Sequence, residues 1–527
     1  MKYAYGVLVA GMVTTFLTAS PAEAANTASE IIRDGAVLFH ERTPVKTTPV
    51  TGKGVTRSDF DGDGRDDLAV HHWNGVSVSY SSAPHRDQLN TEDPPGSGNF
   101  GTEMVTGNFN GDRYDDLAVA DSYEADLRLM GYRSGSVWIF PGGPGGLQPN
   151  AVKHINQSSA GVPGTAAEGD QFGAALAAGD ITGDGRDELA IGIPLKKAGG
   201  KKESGAVVVL KGSASGIVTS GATWISQATG GVPGGPETRD HFGRSLAIGK
   251  IDKNKYAELV IGAPQEDDGT SYEGSGVITQ FWGSASGVSF KKVTTVNGRQ
   301  VSLTAKLRDT YAWYLGENLA IGDTTGDGYG EVIDGNSSAQ VGGHINPGLV
   351  VSLAGRKTGL SAKGVIVISQ NSKGVEGAAE SDDRFGSSIA VGDVTGDKRA
   401  DVLVGVPNEG IGSKKDAGSV VLLKGSKKGL TGVGSQTITQ NSAGVPDSVE
   451  SGDHFGSSVA LLNLNGTGGF DAAVSSPDEQ VTGDTKGYGS GSVTRLYGGA
   501  KGLGSGNVTN GRFLGVLGAH YGWEIAR

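Results

Sequence analysis

Asp59-Phe60-Asp61-Gly62-Asp63-Gly64-Arg65-Asp66-Asp67-Leu68-Ala69-Val70 alternates acids with glycines and then passes directly into an apolar run. Asp and Gly in this order make a tight turn, because Gly adopts positive φ without steric cost and Asp bonds its own backbone. The apolar run behind it suits a buried strand. Related segments begin at Asn108, Asp180, Lys250, Asp323, Asp393 and Asn463, at successive spacings of 49, 72, 70, 73, 70 and 70 residues. So steady a period over seven copies marks a repeat architecture.

Two further markers keep the same phase. Upstream of each loop stands an aromatic-Gly pair or its relic: Phe100-Gly101, Phe172-Gly173, Phe242-Gly243, Leu315-Gly316, Phe385-Gly386 and Phe455-Gly456, with only Thr51-Gly52 before the first. Downstream, a glycine opens an alternating strand, as in Gly205 to Leu210 and Gly418 to Leu423. Polar Gly/Pro connectors such as Gln157–Gly164 and Gln440–Pro446 lead to the next unit. Each unit reads strand, acidic loop, strand, turn, strand, turn, fourth strand. Seven such units predict an all-β, seven-bladed β-propeller of four-stranded antiparallel blades, with a linear solenoid as the structural rival.

The pattern aromatic-Gly, then Asp-x-Thr/Asn-Gly-Asp-Gly-x-x-Asp-Leu, then Gly-x-Pro resembles the FG-GAP repeat of integrin α-subunit headpieces and of many exported bacterial proteins. Gly192-Ile193-Pro194, Gly262-Ala263-Pro264 and Gly405-Val406-Pro407 carry its third element. The resemblance covers residues 51–527 and implies a propeller with calcium in hairpin loops. It implies far less about activity, because one scaffold hosts many functions. The expected organisation is a signal peptide over 1–24, an extension over 25–50 with one edge strand near Ala36–Phe39, and seven repeats. These run near 51–99, 100–171, 172–241, 242–313, 314–384, 385–454 and 455–519, with 520–527 as a ring-closing strand.

Calcium takes six to eight oxygens, and alternating acids in a tight loop supply them. Loop one offers Asp59, Asp61, Asp63 and Asp67 at positions 1, 3, 5 and 9, with the Arg65 carbonyl at position 7. Position 12 is Val70, and no helices flank the loop, so this is not an EF-hand. Loop two offers Asn108, Asn110, Asp112, Tyr114 and Asp116; loop three Asp180, Thr182, Asp184, Arg186 and Glu188. Loop five offers Asp323, Thr325, Asp327, Tyr329 and Glu331; loop six Asp393, Thr395, Asp397, Arg399 and Asp401. In each, the residue at position 7 serves through its carbonyl. About five structural calcium ions are therefore expected. Loop four opens on Lys250, whose ammonium opposes a cation and is expected to pair with Glu258; loop seven keeps one acid, Asp471. Both are expected to be metal-free.

The rest of the composition fits an exported, calcium-bound chain. Lys2, an apolar core from Gly6 to Leu17 and Ala22-Glu23-Ala24 form a secretory signal pattern. With 90 glycines and no cysteine among 527 residues, the chain has many turns and no disulfide framework. A formal charge of −12 argues against nucleic acid as a partner.

The terminal His520-Tyr521-Gly522-Trp523-Glu524-Ile525-Ala526 parallels His454-Phe455-Gly456-Ser457-Ser458-Val459-Ala460 without an acidic loop after it. It is expected to complete the first blade rather than remain a vestigial eighth repeat. His241, His454 and His520 share one repeat phase and read as scaffold. No catalytic motif stands out. The aromatic stretch Asp309–Tyr314 and the scattered Trp73, Trp138, Trp224 and Trp282 are candidates for a binding face or for packing between blades. The expected function is a secreted binding or adhesion module for an extracellular protein or carbohydrate, with no transmembrane span in the mature chain. An exported hydrolase or lyase on the same scaffold is the alternative.

Overall fold

The computed structural model describes residues 27–33, 36–43, 55–73, 75–81, 86–91, 99–126, 132–267, 274–307, 310–481, 483–484, 489–514 and 518–527. The signal pattern and Thr51-Gly52 lie outside them. Blade three shows the rule. Its strands Ala175–Gly179, Glu188–Ile193, Ala206–Lys211 and Val218–Ile225 pair antiparallel in chain order, from the axis outward. The second strand, a continuous apolar run, is buried along its whole length because sheets pack on both its faces. The fourth reaches solvent.

The same meander recurs in blades two, four, five, six and seven, whose second strands are Asp116–Asp121, Glu258–Ala263, Glu331–Asn336, Asp401–Val406 and Asp471–Ser476. Together with the sheet of blade one they form a seven-bladed propeller. One helix, α1 (Gly298–Ala305), interrupts the connector after blade four and is capped by Asn297 with Gln300 reaching back.

Successive blades are welded by the aromatic-Gly pair. Phe172, Phe242, Phe385 and Phe455 are fully buried, each in the core between its own blade and the preceding one. This explains the glycine that opens each third strand. Gly205 lies at φ +85°, and a Cβ there would stand 2.1 Å from the Phe242 carbonyl oxygen. Two sequence markers about 40 residues apart are thus the two halves of one contact.

Blade one is assembled from three parts of the chain. Its sheet runs in the order β1 (Thr27–Arg33), β2 (Ala36–Thr43), β5 (Arg86–Thr91), β4 (Gly75–Ser79) and β3 (Leu68–His72). The extension therefore adds two strands, not the single edge strand expected. The polar stretch TASEIIR conceals β1, which becomes a strand by pairing with β2 across a complete register from Thr27–Arg42 to Arg33–Ala36. The terminal segment lies on the free side of β3. His71 donates to the Glu524 carbonyl at 2.8 Å, Ala526 to that of Ala69 at 3.0 Å, and Gly522 to that of His71 at 3.0 Å. Tyr521 and Ile525 are fully buried there. The extension is fastened by Asp87, whose carboxylate receives Arg42 through two bonds of 2.6 and 2.7 Å and the Tyr80 hydroxyl at 2.6 Å.

Candidate metal loops and the opposite face

In blades two to seven each acidic loop joins the first strand to the second, and loop one leads into β3 at the equivalent place, so all seven lie on one face of the ring. In loop one, Asp59 Oδ1 accepts the backbone N–H groups of Gly62 and Asp63 at 2.8 and 2.9 Å, and its Oδ2 accepts that of Gly64 at 2.7 Å. Asp63 Oδ1 caps Arg65 at 2.8 Å, and Asp67 accepts from Phe60 at 3.0 Å and Ser81 at 2.8 Å. Carboxylate oxygens of Asp59, Asp61 and Asp67 lie within 4.8 Å of one another. Burial pushes the Asp59 carboxyl up to about 7, and the charges of Asp63 and Asp61 add to the rise. Burial likewise raises Asp63 and Asp67. An acid set crowded against its own charge is one that a divalent cation relieves, and its hard oxygens suit calcium.

The other loops repeat the wrapping with fewer acids. Asp180, Asp323 and Asp393 each turn their carboxylates onto loop N–H groups at 2.7–3.2 Å. Asp184, Asp327 and Asp397 cap the N–H of Arg186, Tyr329 and Arg399. At position 9, Glu188 accepts from Thr182 at 3.0 Å, Glu331 from Thr324 at 2.8 Å and Asp401 from Thr395 at 3.2 Å. Burial pushes Glu188 up to about 7 and raises Glu331 and Asp401. Thr325 donates its hydroxyl to Asp323 at 3.1 Å. In loop two the amides already serve as donors: Asn108 to the Asp112 carbonyl at 2.6 Å and Asn110 to Asp112 Oδ2 at 2.9 Å. Asp112 caps Tyr114 at 2.7 Å, and burial pushes Asp116 up to about 7. Among the described residues, loop one alone of these loops brings three carboxylates within 4.8 Å.

Loop four departs from expectation. Lys250 does not pair with Glu258; its ammonium donates to the Lys255 carbonyl at 2.5 Å, tying the loop's start to its far side. Glu258 instead receives the Ile251 N–H at 2.7 Å. In loop seven the Asn465 amide donates to Asp471 at 2.8 Å.

Position 8 was missed by the reading of positions 1, 3, 5 and 9. Asp66, Asp115 and Asp187 reach beyond their own loops, although Asp66 also accepts the Arg57 and Ser58 N–H groups that lead into its loop, at 2.6 and 2.8 Å. They accept the position-1 N–H of the preceding blade's loop: Asn463 at 2.6 Å, Asp59 at 2.9 Å and Asn108 at 2.8 Å. Their visible trace is the doubled acid in Asp66-Asp67, Asp115-Asp116 and Asp187-Glu188. The backbone repeats this link in every blade. The N–H at position 8 (Asp66, Asp115, Asp187, Ala257, Gly330, Ala400, Phe470) donates to the position-1 carbonyl of the loop before it, at 2.8–3.3 Å. Seven such bonds run around the ring and return to their start.

The opposite face gathers the starts of the inner strands. There a cavity of about 300 Å³ is lined by Arg244, Arg384, Arg527, Glu103 and Glu317 with several small polar residues. It opens toward an axial channel of about 410 Å³ between the inner strands. Burial, with the Glu524 charge, pushes Glu103 up to about 8. On this face the residue before six of the aromatic-Gly pairs or their relics takes a left-handed conformation: Gln171, His241, Tyr314, Arg384, His454 and His520, at φ 46–62°. The candidate aromatics divide. Trp138 is buried and bonded to Glu124 at 3.2 Å, Trp282 lies under Lys292 at 4.2 Å, and Tyr311 stacks on Trp313 at 5.4 Å. Asp309 lies outside the described residues.

The FG-GAP repeat model matches residues 100–140, 172–210 and 385–423. The chain is 28% identical over 247 residues to integrin alpha-PS2 of Drosophila melanogaster, a stretch that is 46% of this chain and 15% of that protein. It is 28% identical over 238 residues to integrin alpha-8 of Mus musculus, covering 43% and 21%. To phosphatidylinositol-glycan-specific phospholipase D of Rattus norvegicus it is 27% identical over 199 residues, covering 38% and 22%. The similarity thus spans less than a quarter of each relative's length. No helix among the described residues is long and apolar enough to cross a membrane.

Proposed function

We propose, from the premise that this chain carries FG-GAP repeats and folds as an integrin-α-like seven-bladed propeller, that it is a secreted, calcium-stabilised binding or adhesion module for an extracellular protein or carbohydrate. The observation that carries the binding reading is the charged cavity at the axis. Five chain segments from different blades each deliver a residue to it, and propeller folds place ligand groups where loops of several blades converge.

Calcium belongs to the other face. Loops one, two, three, five and six would hold it through the side chains at positions 1, 3, 5 and 9 and the carbonyls at 7. The ion would supply charge neutralisation and cross-linking, not chemistry on a substrate. Extracellular calcium modules bind with dissociation constants of roughly 10⁻⁴–10⁻³ M. Each filled site then stabilises by about 1 kcal/mol.

A screen of glycans and cell-surface proteins in calcium and in EDTA tests the reading. Capture in calcium that weakens in EDTA and in the R244A/R384A double variant is the expected result. Capture indifferent to both would overturn it. A hydrolase on this scaffold is the second reading, supported by the phospholipase D name of one relative. It predicts release of product from a bound substrate, which a binding module does not give.

A further inference from the structure

The junction between blade seven and the closing segment differs from every other junction. Asp478, just past the second strand of blade seven, accepts His454 Nδ1 at 2.8 Å on one oxygen and His520 Nδ1 at 2.9 Å on the other. Beside this trio Trp73 and Trp523 lie nearly parallel, with ring centres 6.2 Å apart and planes 22° apart. His520 packs against both rings, at 6.0 and 5.5 Å. A cavity of about 250 Å³ opens here, lined by Ser457, Pro477, Asp478, His520 and Trp523.

Neither tryptophan follows the repeat. At the place of Trp73 the other units carry Ser122, Pro194, Pro264, Ser337, Pro407 and Pro477. At the place of Trp523 they carry Thr102, Ala174, Arg244, Glu317, Ser387 and Ser457. Packing does not require them, because the buried Tyr521 already fills the aromatic position of this unit. Trp523 remains 49% exposed and Trp73 37% exposed, so Trp523, backed by Trp73, leaves indole surface open to solvent. Exposed indole surface beside a polar group suits a ligand with one flat apolar face.

We infer that this pocket is a carbohydrate subsite, in which a pyranose ring lays its C–H face on the Trp523 indole and directs hydroxyls to Asp478. A pyranose carries both an apolar face and a rim of hydroxyls, and the pocket offers both partners side by side. The carboxylate held between two imidazoles is oriented before the ligand arrives and accepts hydroxyl donors. The volume is below the roughly 300–1,000 Å³ of pockets for drug-sized ligands, the scale of a terminal sugar. This inference rests on the binding-module reading and commits it to its carbohydrate arm, at a place separate from the axial cavity.

The test is affinity electrophoresis of the full chain in calcium, through gels containing a soluble galactan, mannan, xylan or β-glucan. Wild-type protein is expected to be retarded by at least one polysaccharide, with a change in tryptophan emission on titration. W523A should weaken that retardation about tenfold or more, and D478N should weaken it as well. W523A removes a half-exposed ring, so its thermal midpoint should stay near wild type and report that the fold is intact. No retardation by any of the four, or equal retardation of W523A, overturns the subsite. If no polysaccharide retards the chain while R244A/R384A abolishes capture of a protein ligand, the subsite falls and the binding-module reading stands.

Discussion

Blades one and four occupy equivalent places in the ring and are held together by opposite means. Blade four is cut from one continuous segment, and its loop is clasped by a side-chain ammonium, Lys250 on the Lys255 carbonyl. Blade one is gathered from the two extension strands, β3 to β5 and the terminal segment, and among the described residues its loop alone of the seven acidic loops brings three carboxylates within 4.8 Å. The loop fold itself is therefore not a product of any one charge. It closes over a lysine in loop four, over an Asn465–Asp471 amide bond in loop seven and over clustered carboxylates in loop one.

The largest expected effect comes from making blade one dependent on its own continuous strands. Truncation after residue 518 removes the inner ladder and the buried Tyr521 and Ile525. It should cost about 6 kcal/mol or more, seen as a large fall in the thermal midpoint. A midpoint close to that of the full chain would show that blade one stands alone as blade four does. Next in size is Asp87→Ala, which strands Arg42 and Tyr80 beside the extension. Breaking a buried pair in this way costs about 3 kcal/mol, measurable as a lower denaturant midpoint. An unchanged midpoint would remove the extension from the account of stability.

The smallest effect goes to the loops themselves. Asp59→Asn should lose the calcium-dependent increment of one site, about 1 kcal/mol, whereas Lys250→Ala should leave the increment unchanged. The pH dependence sharpens the contrast. With its carboxyl raised to about 7, Asp59 keeps its proton in the folded chain where the unfolded chain, near 3.9, has lost it. In EDTA, stability should therefore fall as pH rises from about 4 to 7, and calcium should reverse that slope by favouring the ionised loop. Glu258, also raised to about 7 by burial, should keep the falling slope with or without calcium. Melts at pH 5, 6 and 7 in both buffers decide between the two behaviours.

The seven-fold repeat was legible because its markers are local and each serves one contact: the aromatic in the core between blades, the third-strand glycine against its backbone, the acids around the turn. What pairs distant segments was not. β1 has no alternating apolar pattern, and only its partner makes it a strand. The pairing of Lys250 with Glu258 looked natural from charge, yet the loop curls the lysine onto a carbonyl closer at hand. The roles of Asp66, Asp115 and Asp187 could not be read locally, because each bonds the loop of another blade. Asp478 carried no motif, and its two histidines are 24 and 42 positions away.

The seven bonds that link loop to loop around the ring carry a geometric consequence. A row of units can gain or lose a member at its end, and the remainder is undisturbed. A closed circuit cannot, since each blade takes one seventh of a full turn and any change in number must be shared by all. The same holds for the length of each loop, because position 8 of one must meet position 1 of the last. Loop four opens on a lysine and loop seven keeps a single acid, yet their neighbours stand 70 to 73 residues away. Chemistry at the loops is free to drift, while their spacing answers to the whole circle.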